Sequence, residues 1–460
     1  MKSPLNQFLT TLAICAATLL WPDIVCAAPV KERPNILLVI ADDWGWGHAG
    51  VLGDRGIKTP NFDRLAKEGA LFRNAYCAAP TCSASRASLL TGQMFYRLGE
   101  AANLHGPLDA KYPVYPDLLE SAGYAVGMVG KGWAPGNFKA GGRTRNPAGP
   151  MAKDFKTFLE SVPADQPFCF WFGSLNPHRP FDQKSLAGTV DPKSVTVPAF
   201  LPDTPEVRAD LVEYYAEVQA FDREIGSLLK VLEQSGRLEN TLIVVTSDNG
   251  MPFPRAKCNI YDSGTRMPTA IRWGAHVKPG QVVDDFVSLT DLAPTFLAAA
   301  GQPVPAEMSG KSLLPLIESN APGQDFVVTG RERHGGSDYP CRAIRTTGYL
   351  YIRNYHPADS PAAADSGPAL AFLAEHKADP AMEKYWKAFG ELRPAEELYD
   401  NSKDPDQMHN VAEDPAYASI KKDLSRKLDE YLAATGDPRG TGKGEVFDSY
   451  PIRGTKAPAP

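Results

Sequence analysis

The fold is set by the stretch Asn35-Ile36-Leu37-Leu38-Val39-Ile40-Ala41-Asp42-Asp43, an unbroken aliphatic run that ends in two carboxylates. A run of this kind is typical of a strand that is buried on both faces, as in a parallel sheet. Such a strand carries the residues after it to the carboxyl edge of the sheet, where ligands bind. Two adjacent carboxylates repel each other unless a cation or hydrogen-bond donors neutralise them. The pair therefore indicates either a simple turn before Gly45 or a site for a hard metal ion with oxygen ligands.

The same pattern returns later in the chain, in Thr241-Leu242-Ile243-Val244-Val245-Thr246-Ser247-Asp248-Asn249-Gly250. Here too an aliphatic run is followed by two side chains that carry oxygen and by a glycine. Two strands that end in this way can share one edge of a sheet and pool their oxygen donors. One such strand is weak support for a metal site, whereas two are strong support.

Helical and extended patterns alternate around these two strands. Thr59-Pro60 starts a helix that ends before Gly69, and Thr204-Pro205 starts a long amphipathic helix that ends near Gln234. This alternation predicts an α/β fold with a large, mostly parallel mixed sheet sandwiched by helices. From residue 327 onward, short strand patterns followed by a helix at 416–432 predict a second, smaller α+β unit.

The first 28 residues are typical of an export signal. Lys2 precedes an apolar run at 8–21, and small residues suited to signal-peptidase cleavage follow at 25–28. The run is short for a membrane span, and Cys26 lacks the sequence context of a lipoprotein. We therefore expect an exported chain, periplasmic or secreted, whose mature form has no stable membrane insertion.

Charge and cysteine content limit the possible partners. The 460-residue chain has a formal net charge of −6 and a pI near 5.8, which disfavours nucleic-acid binding. Any anionic ligand must therefore meet a local positive pocket.

Outside the signal, no CxxC pair occurs, so neither a zinc site nor a dense disulfide framework is indicated. The remaining cysteines are Cys77, Cys82, Cys169, Cys258 and Cys341.

The segment Thr81-Cys82-Ser83-Ala84-Ser85-Arg86-Ala87-Ser88-Leu89-Leu90-Thr91-Gly92 lies between the two acid-tipped strands. It predicts a helix with Cys82 at its N-terminus and Arg86 one turn later. Unpaired N–H groups and the helix dipole favour an anionic nucleophile or an anionic substrate at that end. The alternative is a structural thiol, because a free cysteine is often a small buried hydrophobe.

This segment also resembles the signature of type I sulfatases, which belong to the alkaline phosphatase superfamily. The signature is Cys-x-Ala/Pro-x-Arg followed by Leu-Thr-Gly, and Ala84 stands where proline is more common. In that family a maturation enzyme oxidises the cysteine to Cα-formylglycine. One hydroxyl of the hydrated aldehyde attacks sulfur, and the other later collapses to expel sulfate. The resemblance thus implies that Cys82 is modified in the mature protein.

The resemblance also implies the remaining parts of a sulfatase site. It assigns His178, in Asn176-Pro177-His178-Arg179, as the proton donor to the leaving group. Where the family usually has a histidine after Lys131-Gly132, this chain has Trp133, and His105 is a candidate replacement. The implied calcium ligands are Asp42, Asp43, Cys82, Asp248 and Asn249. The implied cations on the sulfate are Arg86, Lys131 and Lys257.

The similarity extends over nearly the whole mature chain. After the signal peptide at 1–28, it implies a catalytic domain at 29–326 and a small C-terminal domain built on an antiparallel sheet at 327–437. The composition of 438–460 predicts a flexible tail. The segments 246–261 and 339–345 look closest to the sulfamidase (N-sulfoglucosamine sulfohydrolase) branch, in which part of the second domain closes over the sugar. Candidates to bind the sugar are Glu332, His334, Arg342 and Arg345. Candidates to stack on its ring are Trp44, Trp46 and Trp133.

Three functions compete on these residues. The first is an exo-acting sulfatase on a sulfated saccharide, with an N-sulfated glucosamine terminus preferred to an O-sulfated algal or animal glycan. The second is a phosphomonoester or phosphodiester hydrolase of the same superfamily, which commonly uses Ser or Thr with two zinc ions held by histidines. The metal set of Asp and Asn argues against it. The third is a non-catalytic binder of sulfated glycans, and only Trp133 supports it.

Overall fold

The computed structural model describes residues 33–334, 338–357 and 365–453. The predicted signal peptide therefore lies outside the described residues. At the centre is a seven-stranded mixed sheet with the strand order β3-β4-β1-β5-β6-β2-β7. Its strands are β1 Asn35–Ala41, β2 Ala70–Tyr76, β3 Ala125–Gly130, β4 Phe168–Gly173, β5 Thr241–Ser247, β6 Thr269–Arg272 and β7 Gln281–Ser288.

A second, four-stranded sheet follows in the chain, in the antiparallel order β11-β10-β9-β8. Its strands are β8 Phe326–Arg331, β9 Cys341–Thr346, β10 Tyr349–Asn354 and β11 Glu396–Asp400. The helices are α1 Pro60–Glu68, α2 Cys82–Thr91, α3 Tyr115–Ser121, α4 Phe155–Ser161, α5 Lys184–Ala187, α6 Pro205–Gln234, α7 Asp262–Thr265, α8 Leu292–Ala299, α9 Leu314–Ser319, α10 Pro368–Glu375, α11 Glu383–Phe389, α12 Ala418–Thr435 and α13 Glu445–Asp448.

The aliphatic run of β1 is explained by cover on both faces of the large sheet. Alternate side chains enter two separate cores, with Leu38 in one and Leu37 in the other. The long helix α6 packs on the Leu37 side, and α3 and α8 pack on the Leu38 side. A strand covered on both faces needs apolar residues at every position, which confirms the α/β prediction.

Strand pairing brings the two acid-tipped strands side by side. β1 pairs in parallel with β4 and with β5, and Ala41 lies opposite Ser247 at the carboxyl end. Only β6 runs antiparallel to its neighbours in this sheet. The residues after β1 and β5 therefore emerge together at one edge, as the sequence predicts.

The second sheet is covered by α12, whose Leu424, Leu428 and Leu432 pack in one core with Ile344 and Tyr351. This arrangement confirms the predicted antiparallel α+β unit. The segment expected to be a flexible tail differs over its described part, 438–453. There Arg439 forms an ion pair with Glu332, and Phe447 is buried. Residues 454–460 lie outside the described residues.

None of the helices in the described ranges combines the length and the apolar character that crossing a membrane requires.

Candidate active site

The carboxyl ends of β1 and β5 form a tightly hydrogen-bonded cluster. The backbone N–H of Asp43 donates to Asp248 Oδ1 at 3.1 Å, and the N–H of Trp44 donates to Ser247 Oγ at 2.8 Å. Asp43 adopts a positive φ of 77°, which turns the chain sharply after the strand. Asp42, Asp43, Asp248 and Asn249 are all buried there.

Cys82 begins helix α2 and faces this cluster. Its Sγ lies 3.6 Å from Asp42 Oδ1, and the residue is 3% exposed. Burial raises the pKa of the Cys82 thiol well above its usual value, although Lys131 and Lys257 act in the opposite direction. The helix N-terminus therefore does not make this thiol anionic. An unmodified Cys82 is a protonated, weak nucleophile.

Three cations surround the carboxylates. Arg86 is fully buried and donates from Nε to Asp248 Oδ2 at 2.7 Å. Lys131 Nζ lies 2.7 Å from both carboxylate oxygens of Asp42, and Lys257 Nζ lies 2.8 Å from Asp43 Oδ2. The structure thus brings together the three cations that the sequence resemblance implied.

These charges act differently on the two adjacent acids. Burial opposes ionisation of Asp42, but Lys131 and Arg86 outweigh it and lower the pKa of Asp42. For Asp43, burial dominates over Lys257, and together with the negative charge of Asp42 it raises the pKa of Asp43 to about 6. The cations thus balance the charge of Asp42 but not that of Asp43, and a bound cation would stabilise the ionised form of Asp43.

The residues present fit a hard metal ion. Asn249 Nδ2 donates to Asp43 Oδ1 at 2.7 Å, but Asn249 Oδ1 is buried and has no hydrogen-bond partner in the described structure. A buried acceptor without a partner costs about 1–3 kcal/mol, and a cation would satisfy it. The ligand atoms of Asp42, Asp43 and Cys82 also lie within 4.8 Å of one another. Carboxylate and amide oxygens are the donors that calcium prefers.

His178 approaches the same oxygen of Asp43 that Lys257 contacts. Its Nε2 lies 3.8 Å from Asp43 Oδ2, and its side chain is 36% exposed. Its Nδ1 contacts the carbonyl oxygen of Arg179, so Nδ1 carries a proton and Nε2 faces the site. A cavity of about 630 Å³ opens here, lined by Asp42, Gly130, Lys131, Ala134, Leu175, Asn176, His178, Arg179, Pro180 and Asp182. Its size suits a sugar-sized ligand.

Asp365 is a site residue that sequence reasoning missed. Its Oδ2 lies 2.8 Å from Lys257 Nζ, and its carboxylate lies within 4.8 Å of ligand atoms of Asp43 and His178. Burial opposes its ionisation, but Lys257 outweighs burial and lowers the pKa of Asp365. No local signal marks this residue, because the sequence before it is rich in Pro, Ala, Asp and Ser and lies far along the chain from Lys257.

Trp133 fills the position where a histidine was expected. Its indole Nε1 donates to the carbonyl oxygen of Ser83 at 3.1 Å, and the ring is buried. Trp133 therefore anchors the first turn of α2 from behind. His105 is tied to the same turn through its backbone N–H, which lies 3.4 Å from Ser83 Oγ. The structure gives the His105 ring no described contact with Cys82.

Three of the four predicted sugar-binding residues, Glu332, Arg342 and Arg345, form internal ion pairs. Arg342 is fully buried and contacts Glu332 at 2.6 Å and Asp437 at 2.7 Å. Arg345 pairs with Asp262 at 2.8 Å. These ion pairs give the three side chains a role in the fold, and sugar binding by them stays a prediction.

His334, the fourth candidate, lies beside the site. Both of its ring nitrogens are 3.4 Å from the Sγ of Cys258, the residue after Lys257. Burial, with the nearby charges of Arg331 and Lys257, lowers the pKa of His334 to about 3. The imidazole is therefore neutral at physiological pH.

The predicted stacking tryptophans are also placed differently. Trp44 is buried and packs edge-on against Phe62 and Phe221. Trp46 is partly exposed, but the guanidinium of Arg266 lies 4.0 Å from the centre of its ring. Neither ring lines the cavity at His178.

All five cysteines that the sequence leaves after the signal are buried and free of disulfides in the structure.

Comparisons with known proteins agree on one family. The model of the sulfatase family matches residues 34–302, and a model described as N-sulphoglucosamine sulphohydrolase, C-terminal, matches residues 255–365. Human N-sulphoglucosamine sulphohydrolase is 31% identical over 466 residues, covering 89% of this chain and 92% of that protein. An ulvan-active sulfatase of Formosa agariphila is 29% identical over 435 residues, covering 89% and 82%.

Solved structures share the fold. A protein in complex with its substrate D-glucosamine-2-N,6-O-disulfate superposes with a TM-score of 0.68 at 21% sequence identity, covering 91% of this chain and 100% of that chain. A structure in complex with a neocarrahexaose has a TM-score of 0.63 at 22% identity, covering 87% and 93%.

Proposed function

Because this chain belongs to the sulfatase family and is a sulfatase, we propose that it removes sulfate from sulfated saccharides with a nucleophile made from Cys82. The observation that supports this proposal most strongly is that Cys82 and three cations lie around the same carboxylates at one edge of the sheet. Lys131 and Lys257 contact the two acids that follow β1, while Arg86 contacts Asp248, which follows β5. These parts come from distant segments of the chain.

The cations would hold and neutralise the sulfate. A sulfuryl group carries negative charge on its oxygens, and buried positive charges act strongly on it because water is excluded. Lys131 is mostly buried and Lys257 almost wholly buried, with side-chain exposures of 10% and 3%. Calcium held by Asp42, Asp43, Asp248, Asn249 and the modified Cys82 would add positive charge beside the same oxygens.

The nucleophile would arise by oxidation of Cys82 to formylglycine by a maturation enzyme. The hydrated aldehyde would offer two hydroxyls, one to attack sulfur and a second whose deprotonation later expels sulfate, which a thiol does not provide. His178, when both of its ring nitrogens carry a proton, would donate the proton on Nε2 to the leaving atom, since it is partly exposed and lines the cavity.

We propose an N-sulfated glucosamine terminus as the first-choice substrate and an O-sulfated glycan as the second. Support for the first comes from the human relative and from the match of its C-terminal family model. Support for the second comes from the ulvan-active relative. The chain is proposed to act outside the cytoplasm, because its first residues predict export.

The test is sulfate release from a panel of N-sulfoglucosamine, O-sulfated monosaccharides and the matching phosphate esters. The protein is made with a formylglycine-generating enzyme, and Cys82→Ala serves as the matched inactive control. We expect sulfate from at least one sulfated member and none from the control. Activity confined to phosphate esters, or equal activity of the control, would refute the proposal.

A further inference from the structure

Asp365 is a carboxylate at the active site that the proposed reaction does not use. It lies 2.8 Å from Lys257 Nζ, and 24% of its side chain is exposed. An anion at this point competes with a sulfate oxygen for the same ammonium group. Lys257 already has Asp43 as a partner, so it does not need Asp365 for charge balance. Its carboxylate is therefore placed to contact the substrate.

The shortest contacts of the site fall into two groups. Cys82 and Lys131 contact Asp42, whereas Lys257 and His178 gather around Asp43. In an in-line displacement the nucleophile and the leaving group lie on opposite sides of the central atom. The group around Asp43 contains the proposed proton donor and is thus the leaving-group side. Asp365 belongs to this group, since its carboxylate lies within 4.8 Å of His178 and Asp43 ligand atoms.

The two possible leaving groups differ in charge. When an S–N bond breaks, its electron pair stays on nitrogen, which takes one proton from His178 and becomes an amine. A second proton from water then makes this amine an ammonium cation. When an S–O bond breaks, oxygen takes one proton and becomes a neutral hydroxyl. Hydrogen bonds to a charged partner are roughly twice as strong as neutral ones.

We propose that Asp365 binds the N–H of a sulfamate substrate and the amine that leaves, and so sets the preference for N-sulfate over O-sulfate. This inference rests on the proposed function. It makes Asp365 a specificity-determining residue, whereas Lys257 and His178 serve either substrate. A carboxylate at this place also disfavours a second sulfate on the sugar atom next to the one that carries the leaving nitrogen, because like charges repel.

The test compares kcat/KM of wild type and Asp365→Asn on N-sulfoglucosamine and on an O-sulfated glucosamine. The variant keeps the size of the side chain and removes its charge. We expect a loss of about 10- to 100-fold on the N-sulfate, the range for a hydrogen bond to a charged group, and a loss below about threefold on the O-sulfate. The matched control is Asp379→Asn, an exposed carboxylate that caps a turn at Ala381 and should leave the ratio unchanged.

A second measurement does not depend on O-sulfate turnover. Glucosamine carries an ammonium group, whereas N-acetylglucosamine is neutral, and both can be tested as inhibitors. Wild type should bind glucosamine more tightly, and Asp365→Asn should lose this preference by about tenfold or more. Equal losses on both substrates with no change in inhibitor preference would show that Asp365 only balances Lys257.

The outcomes separate this inference from the proposed function. If wild type cleaves only O-sulfates, the inference is overturned and the sulfatase function stands. If wild type with confirmed formylglycine at position 82 releases sulfate from no member of the panel, the proposed function fails, and the inference fails with it.

Discussion

Replacing Arg342 by methionine tests whether the charge cluster of the second sheet supports the fold or the substrate. Arg342 is fully buried, with Nη2 at 2.6 Å from Glu332 Oε1 and Nε at 2.7 Å from Asp437 Oδ2. Glu332 has a second cationic partner in Arg439, at 2.7 Å. In the Arg342→Met variant, Glu332 therefore keeps a cationic partner, whereas the carboxylate of Asp437 loses its cation.

The expected loss of stability follows from the unpaired charge of Asp437. Breaking a buried ion pair by removing one partner costs about 3–5 kcal/mol, because an uncompensated charge stays inside. Methionine retains part of the apolar contact with Phe95, over whose ring the guanidinium lies at 4.8 Å. The double variant Arg342→Met/Asp437→Asn removes both charges, so we expect it to recover at least about 1 kcal/mol of the loss.

The free energy of unfolding is measured by urea titration, and kcat/KM is measured on the best substrate of the panel. We expect stability to fall in the single variant and to recover partly in the double variant, with kcat/KM changed by less than about threefold. Unchanged stability with a large rise in KM would show instead that Arg342 binds the sugar. The structural assignment of Arg342 would then be wrong.

Two further predictions concern the site. Chelation of calcium should abolish activity and lower the thermal midpoint of unfolding, and added calcium should restore both. The reason is that an ion bound only to the folded state stabilises it by about 2.7 kcal/mol when its concentration is a hundredfold above Kd. Asn249→Ala should need more calcium for the same activity, and stoichiometric zinc by elemental analysis would contradict the assignment. Trp133→His should lower stability by about 2–4 kcal/mol, because it opens a cavity and removes the bond to Ser83, without raising kcat/KM. A faster Trp133→His enzyme would show that the missing histidine limits the reaction.

Elements with a strong local pattern could be predicted from the sequence. β1 and β5 are unbroken apolar runs because both faces of their sheet are covered. The long helix α6 begins at Pro205, where Thr204 accepts a hydrogen bond from the N–H of Val207, as its capping sequence indicates. β2 was not predicted, because Arg73 and Asn74 interrupt its apolar pattern at exposed and half-buried positions.

The site residues also differ in whether the sequence could predict their positions. Asp42 and Asp248 were predictable because each directly follows a marked strand, and strand order then fixes their neighbourhood. The ion pair of Arg342 was not predicted, since a sequence does not show that Asp437 lies against it across 95 residues of chain. Asp365 was missed for the same reason, as its contact with Lys257 spans 108 residues. Burial and long-range pairing are decided by tertiary packing, which no local pattern encodes.

The proposed reaction depends above all on the chemical state of residue 82. The direct measurement is the mass of the peptide that contains Cys82, taken from protein made in a host that carries the maturation enzyme and compared with enzyme activity. We predict that the aldehyde replaces the thiol, that the aldehyde fraction rises in proportion to sulfatase activity, and that Cys82→Ser is folded but inactive. A fully active preparation in which every copy of residue 82 is still a thiol would contradict the mechanism.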